Sequence, residues 1–423
     1  MASKIIPNVK GTRDFYPDDW AYQKWLSGKF LEVGRLFGFE EYEGSLLEHQ
    51  DLYLGKSSEE IVNQQTFTLK DRDDRDLVLR PELTPSLARM VASREGQLAF
   101  PIRWQSYGQF FRYERPQRGR GRAFFQWNVD LLGADSPVAD AEILSLACAT
   151  LKTLDLTPDH VTLRLNDRQA AESLLRETLG IRDDLIPAVF GLIDRVDKMD
   201  PEKFKAALAE AGLGDTQASE LQDILQSKSP IVSDWLTEIM AHLSKAGVES
   251  YIQLDPRIVR GFDYYTRTVF EAWAKTSLRR ALFGGGRYDN LTLQVGGKRQ
   301  IPGVGFAVGD MALTELLKEV EKMPDAHPTE VRVLVTVFAE DLLDTSSHVA
   351  ATLRRAGIPT ELYLSPKHKL DRQFKHADKK AIRYVVVLGP DEAAADKASL
   401  KDLRTGDQVT LAVGELADRI SQN

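Results

Sequence analysis

The sequence predicts an α+β protein, with a region of strands and helices interrupted by a helical insertion and followed by a small α/β domain. Three patterns predict this. Residues 102–132 read as a long hairpin, residues 169 to about 247 turn polar and helical, and beyond residues 323–328 strands alternate with helices. The expected parts are residues 1–168 together with 250–322, an insertion over 169–249, and a last domain over 329–423.

In chain order, a first helix is predicted over about 19–37. Tyr22, Leu26, Phe30, Val33 and Leu36 recur there at three- and four-residue spacing, and Gly38 supplies a stop. Residues 39–48 are mostly extended. Residues 77–79 read as a strand, and Thr84 with Pro85 as the N-cap and first position of a helix reaching Val91. The hairpin has arms at 102–114 and 124–132, joined by a glycine- and arginine-rich link at 115–122, which predicts a basic, mobile tip. In its second arm Phe125, Trp127, Val129 and Leu131 alternate with Gln126, Asn128 and Asp130, so one face is core and the other polar. Such a face suits a pocket floor or an ordinary half-exposed strand. Residues 140–154 are predicted helical and 161–165 a strand. The insertion has breaks at Pro187, Gly212 and Pro230. Extended character returns at 251–273, 280–293 and 303–309. Residues 323–328 form a linker, and strands at 331–338, 360–364 and 384–388 alternate with helices at 342–356 and 370–381, which predicts a parallel sheet.

Composition narrows the class. Hydrophobic residues make up 43% and charged residues 28% of the 423, an ordinary globular balance. No run of about 18 apolar residues occurs, so no membrane span is expected. The first ten residues lack the apolar centre and cleavage site of a signal peptide. Cys148, the single cysteine, sits in an apolar stretch without an evident base and reads as an inert buried thiol. A cytoplasmic protein is expected. The formal net charge of −8 argues against broad, non-specific nucleic-acid binding. Locally, residues 367–383 carry Lys367, Lys369, Arg372, Lys375, Lys379, Lys380 and Arg383 against Asp371 and Asp378; alone, that run reads as a solvated helix face.

Several chemistries are set aside. Gly55-Lys56-Ser57 has the ending of a phosphate-binding loop, but Gln50 stands where its first glycine belongs. No Cys or His spacing suits zinc, and no G-x-S-x-G elbow occurs. Charged residues on strands remain. Arg112 and Glu114 are two apart and share a face, where an arginine can grip a phosphate or carboxylate and a glutamate can accept from an adenine amino group; a cross-strand ion pair explains them equally. Arg260-Gly261-Phe262-Asp263-Tyr264-Tyr265, with Arg267 and Glu271 after it, is a second cluster. Gly284-Gly285-Gly286-Arg287-Tyr288-Asp289 is a third.

Together these stretches resemble the histidyl-tRNA synthetase family over nearly the whole chain. Residues 10–15 (KGTRDF) resemble its N-terminal signature, 79–85 (LRPELTP) its histidine-side segment, and 111–117 (FRYERPQ) through Gln126 class II motif 2. The two histidine signatures, 260–265 (RGFDYY) and 285–289 (GGRYD), are the most specific. The resemblance implies a class II antiparallel sheet flanked by helices, a C-terminal anticodon-binding domain and a homodimer. It implies that histidine's carboxylate attacks the α-phosphorus of ATP and that the adenylate is passed to the 3′ end of tRNA(His). Positioning and charge then do most of the work, with Mg2+ entering alongside ATP and no resident metal.

Residue by residue, the resemblance implies that Arg112 and Arg260 act at the α-phosphate, and that both also belong to the histidine-binding set, Arg112 meeting the histidine carboxylate. Glu114 would read the adenine and Arg120 the β- and γ-phosphates. Glu82, Leu83, Thr84, Gln126, Asp130, Tyr264 and Tyr265 would form the histidine pocket, with Asp130 and Tyr264 serving the two imidazole nitrogens. A site of that kind rejects analogues by roughly 10⁴–10⁵-fold without editing. Many family members carry Glu at the position of Asp130. The same resemblance raises the basic stretch at 367–383 to a candidate for tRNA contact. Two departures stand out: Ser45 replaces the usual motif 1 proline, and Ala312 falls where motif 3 usually ends in an arginine that stacks on ATP. Either another group holds the adenine and γ-phosphate, or ATP binds more weakly. A catalytically silent alternative is the regulatory subunit of ATP phosphoribosyltransferase, which shares the catalytic fold but lacks the C-terminal domain.

Overall fold

A computed structural model describes residues 5–54, 65–227, 230–259, 264–278, 280–325 and 329–422. By their contacts, residues 1–14 and 26–323 make one compact unit, and residues 15–25 and 324–423 another. The architecture is α+β.

Helix α1 (Pro17–Leu36) carries Asp18 and Asp19 in its first turn and Arg35 in its last, matching the helix dipole at both ends. Its second half lies on the sheet of the first unit: the Phe30 ring stacks on Trp127 at 5.0 Å. Gly34 permits that approach, because a Cβ there would fall 2.0 Å from Gln105 Oε1. Strands β1 (Glu40–Glu41), β2 (Leu47–His49), β3 (Phe67–Lys70) and β4 (Asp76–Leu79) follow. Next come α2 (Thr84–Arg94), β5 (Ile102–Phe111), β6 (Ala123–Leu132), α3 (Pro137–Thr153) and β7 (Val161–Asp167).

Between β7 and the next sheet strand lie α4 (Arg168–Ser173), α5 (Ile186–Ile193), α6 (Pro201–Glu210), α7 (Asp215–Ser227) and α8 (Asp234–Lys245). Their starts are set by short polar side chains: Asp167, Asp200 and Ser233 each accept from the first free backbone N–H groups. Leu175, Phe190, Phe204, Leu208, Leu221 and Leu225 give this stretch its own apolar core. The chain then resumes the sheet with β8 (Ile252–Leu254), β9 (Thr268–Ala274), β10 (Ala281–Tyr288), helix α9 (Leu291–Gln294), β11 (Gly303–Gly309) and helix α10 (Asp310–Glu319).

Among the described residues eight strands form one sheet, ordered β1-β5-β6-β11-β10-β9-β7-β8. It is antiparallel except at the outer pairs β1–β5 and β7–β8. The small sheet β2-β4-β3 is separate. The expected hairpin is β5–β6, paired from Ile102↔Leu132 to Phe111↔Ala123.

Three local expectations are corrected. The hairpin tip is tied down rather than loose: Gln117 and Arg120 bridge each other, and Arg118 Nε donates to Glu315 Oε2 on α10 at 2.8 Å. Thr84 is the first helical residue of α2 and not its cap; Leu83 holds the cap position, its side chain buried and making no capping bond. Residues 291–294 are helical, because Leu291 and Thr292 turn one side of a short helix inward.

The second unit contains β12 (Val333–Val335), α11 (Leu343–Arg355), β13 (Thr360–Leu362), α12 (Leu370–Lys379) and β14 (Tyr384–Val387). It ends with α13 (Pro390–Ala394), β15 (Lys397–Asp402), β16 (Gln408–Ala412) and α14 (Leu416–Ser421). Its sheet, β13-β12-β14-β15-β16, is parallel over the first three strands as expected, but β15 and β16 return antiparallel. A wholly parallel sheet would need a long crossover before each strand, and the link from β14 to β15 is too short for one.

Candidate active site

The floor of the site follows from strand alternation. On β6, Gln126, Asn128 and Asp130 face one way; directly opposite them on β11 stand Gly309, Ala307 and Gly305. On β10, Gly284 and Gly286 continue this face, paired with Ala307 and Gly305. Val304, Phe306 and Val308 of β11 point to the other side and are buried there. A row of polar side chains therefore borders a row of residues with almost none, and the difference is a trough. At Gly305 the fit is tight, since a Cβ would lie 2.3 Å from Asp130 Oδ1.

The trough opens into a cleft with a cavity volume of about 280 Å³. Seven of the predicted residues line it: Glu82, Thr84, Arg112, Glu114, Arg120, Gln126 and Tyr265. Leu83, Asp130 and Tyr264 are buried and stand behind that lining. Arg260 lies outside the described residues.

At the inner end, acids and phenols are paired with one another. Tyr264 donates to Glu82 Oε2 at 3.0 Å, and Tyr288 donates to Asp130 Oδ1 at 2.5 Å. The three rings of Tyr264, Tyr265 and Tyr288 meet edge to face, with centroids 5.1 and 5.8 Å from Tyr264. Burial pushes the Asp130 carboxyl up to about 7, with the nearby Glu82 charge adding to the rise and the Tyr288 bond opposing it. Burial likewise holds the Tyr264 and Tyr288 hydroxyls protonated. Asp130 and Tyr264, expected to meet the two nitrogens of an imidazole directly, thus already have partners.

The mouth is cationic. Arg112 Nε donates to the Pro81 carbonyl at 2.9 Å, which fixes the guanidinium at the cleft wall, 5.4 Å from the Phe124 ring. Arg120 Nη1 lies 3.1 Å from Glu114 Oε2, an ion pair not aligned as a hydrogen bond. The segment at 10–14 braces the hairpin from below: Arg122 N donates to the Gly11 carbonyl, and Arg13 Nη2 pairs with buried Asp310 at 2.7 Å. Asp310 also accepts from Phe125 N.

Three polar residues lining the cleft, Asn128, Glu271 and Arg280, had no site role assigned from the sequence. Asn128 has its Nδ2 buried without a partner among the described residues, so it offers a spare donor; the alternation in β6 already put it on the polar face. Glu271 lies across from Gly284 with its pKa raised by burial, and accepts from Trp273 Nε1. Arg280 has no pattern in the sequence to mark it. In the opposite sense, Arg287 of the GGRYD stretch is fully buried away from the cleft and grips Asp140 with Nε and Nη2 at 3.0 and 2.5 Å. Trp235 and Thr268 bind the same carboxylate. That arginine ties β10 to α3.

In the second unit, Lys375, Lys380 and Arg383 of the basic stretch pair with Asp371, Glu361 and Asp402. Lys367, Lys369, Arg372 and Lys379 are exposed and make no ion pair among the described residues.

The family profile described as histidyl-tRNA synthetase matches residues 11–313, and that described as anticodon binding domain matches 330–423. The chloroplastic/mitochondrial histidine–tRNA ligase of Arabidopsis thaliana is 35% identical over 96% of this chain and 85% of its own length. The histidine–tRNA ligase of Leptospira biflexa is 32% identical over 98% of this chain and 97% of its own. The crystal structure of a histidyl-tRNA synthetase from a Nostoc species superposes with a TM-score of 0.82 at 25% identity, covering 99% of this chain and all of that one.

Proposed function

The chain belongs to the histidyl-tRNA synthetase family, and we infer that it is a histidine–tRNA ligase, an aminoacyl-tRNA synthetase that activates L-histidine with ATP and transfers it to tRNA(His). One observation carries the mechanism: a single cleft runs from a cationic mouth at Arg112 and Arg120 to an inner end of paired acids and phenols. ATP enters with its phosphates at the mouth, where Arg112 meets the α-phosphate and Arg120 the outer phosphates. Glu114 accepts from the adenine amino group. Histidine lies inward, its ring against Tyr265, with Glu82, Thr84 and Gln126 as polar partners. Tyr264 and Asp130 act from behind, fixing Glu82 and Tyr288.

In the first step a histidine carboxylate oxygen bonds to the α-phosphorus as the bond to the bridging oxygen breaks, and pyrophosphate leaves. In the second, a ribose hydroxyl of the tRNA 3′ end attacks the histidyl carbonyl; AMP leaves and the hydroxyl proton is lost. Guanidinium groups at the α-phosphate stabilise the charge that builds in both. Arg260 is proposed as the second such group. Mg2+ would enter with ATP; of the three carboxylates lining the cleft, Glu82 is held by Tyr264 and Glu114 by Arg120, which leaves Glu271 as the residue that would hold it. The trough needs no covalent nucleophile, and Cys148, buried with its thiol pushed up to about 12, offers none.

The second unit is proposed to hold the anticodon through Lys367, Lys369, Arg372 and Lys379. Dimerisation is proposed through the small sheet, where Leu46, Leu47 and Leu69 are exposed apolar residues beside the motif 1 segment. A cytoplasmic location fits the lack, among the described residues, of any helix long and apolar enough to cross a membrane. The silent regulatory alternative loses its ground because residues 330–423 match an anticodon-binding domain.

The test is exchange of labelled pyrophosphate into ATP. Histidine alone among amino acids should support it, and Arg112→Ala should lower its rate by about 10²–10³-fold. Exchange that ignores the amino acid, or full activity in the variant, overturns the reading.

A further inference from the structure

Resting on that reading, we propose that Arg280 is an ATP-contact residue: its guanidinium occupies the space left open by Ala312 and binds the outer phosphates of the nucleotide from the β10 side of the cleft. Arg280 stands immediately before β10 and lines the same cleft as Arg112, Glu114 and Arg120. Gly119, at the hairpin tip with φ +69, locates it: a methyl placed there would lie 3.2 Å from Arg280 Nη1 and 3.8 Å from Ala312 Cβ. The guanidinium therefore sits beside the first turn of α10, where a long side chain at 312 would otherwise project. With alanine at 312 nothing disputes that space.

The bonding of Arg280 is incomplete. A guanidinium has five N–H donors, and the described residues satisfy one contact, Nη1 to the Arg118 carbonyl at 3.0 Å. No carboxylate among the described residues pairs with it. Its charge faces Arg120, and both burial and that like charge disfavour the protonated form, with Glu114 the weaker opposing influence. Two arginines lining one cleft and close enough to repel, with Glu114 the one carboxylate that offsets the charge at Arg280, leave a surplus of positive charge that a polyanion neutralises. Arg118 cannot share the task, because Glu315 and Glu319 already hold it on the outer side of α10. The contact to the Arg118 carbonyl gives Arg280 a second consequence: the same side chain that meets the phosphates also pulls the hairpin tip over them.

A bracing role alone predicts something different, and nucleotides of different charge separate the two. The full chain carrying Arg280→Ala should bind ATP about 10–100-fold more weakly, the usual consequence of losing a charge-assisted contact. Its affinity for AMP and for histidine should stay within about 3-fold of the parent, and its melting temperature should hold. Adding Ala312→Arg to Arg280→Ala returns a guanidinium to the same space from α10, and should restore most of the preference for ATP over AMP. Equal losses for ATP and AMP, no loss for either, or a double variant with no recovered preference each overturn the proposal. The parent protein is the control for the ligase reading: if it shows no histidine-dependent exchange while the ATP effect of Arg280→Ala persists, that reading falls and the phosphate contact stands.

Discussion

At the inner end of the cleft Glu82 and Asp130 are buried, each accepts from a tyrosine, and the tyrosines pack against one another. At the mouth Arg112, Arg120 and Arg280 are only partly covered and are met by backbone carbonyls and one misaligned glutamate. The first arrangement is closed on itself, so it selects by what a guest leaves unpaired in a place without water. The second is open and under-neutralised, so it attracts by charge and yields to salt. Substitutions should therefore change stability and selectivity at the inner end, and nucleotide affinity at the mouth.

The sharpest test of this contrast is Asp130→Asn. In the folded protein the Asp130 carboxyl is raised to about 7 from an ordinary 3.8. A raised folded value means the native state holds its proton more tightly than the unfolded chain. Its stabilising contribution is complete below about pH 4 and is lost as pH rises through about 7. The stability of the parent minus that of the variant should fall across this window by up to about 4 kcal/mol, from about 1.36 kcal/mol per pH unit. Chemical denaturation at a series of pH values reads it directly. A difference that does not vary with pH means Asp130 is not as desolvated as its surroundings indicate.

Next in size is Tyr264→Phe, which removes the donor to Glu82 while keeping the ring. Leaving a buried carboxylate without that partner should cost about 1–3 kcal/mol. Because Glu82 faces the histidine side of the cleft, kcat/KM for histidine should fall about 10–100-fold while KM for ATP holds. Equal effects on both substrates would show that the inner end and the mouth are one electrostatic unit.

The two ends were also unequally legible in the sequence. Strand alternation exposed the polar face of β6, because side-chain direction is local; the small residues of Gly303–Gly309 came to stand opposite it only through the pairing of β11 with β6. What no local pattern carries is pairing. Arg280 reaches the cleft because β10 lies beside β11, whose end leads into α10, and Arg287, seven residues later, lands in the core against Asp140. Both are arginines near the same glycines, Arg280 just before β10 and Arg287 within it; their odd spacing turns them to opposite faces, but only the sheet order makes one face the cleft and the other the core. The antiparallel return of β15 and β16 is likewise a matter of pairing and has no local signature. The N-cap reading of Thr84 failed because Leu83 is drawn into the core, which outweighs a capping bond.

The smallest expected effect is at the mouth, and its sign is informative. Glu114→Gln keeps an acceptor for an adenine amino group but removes the charge that holds Arg120 at 3.1 Å. Arg120 is about half exposed, so the pair should contribute no more than about 1 kcal/mol and the variant should unfold almost as the parent does. ATP no longer has to displace that carboxylate, so its KM should drop at low salt by up to about 5-fold and return toward the parent value near 0.5 M salt, where screening acts within about 4 Å. A KM that instead rises more than about 10-fold at every salt concentration would mean the carboxylate serves the nucleotide more than it restrains the arginine. The mouth would then select by fixed hydrogen bonds, as the inner end does, and the contrast between the two would dissolve.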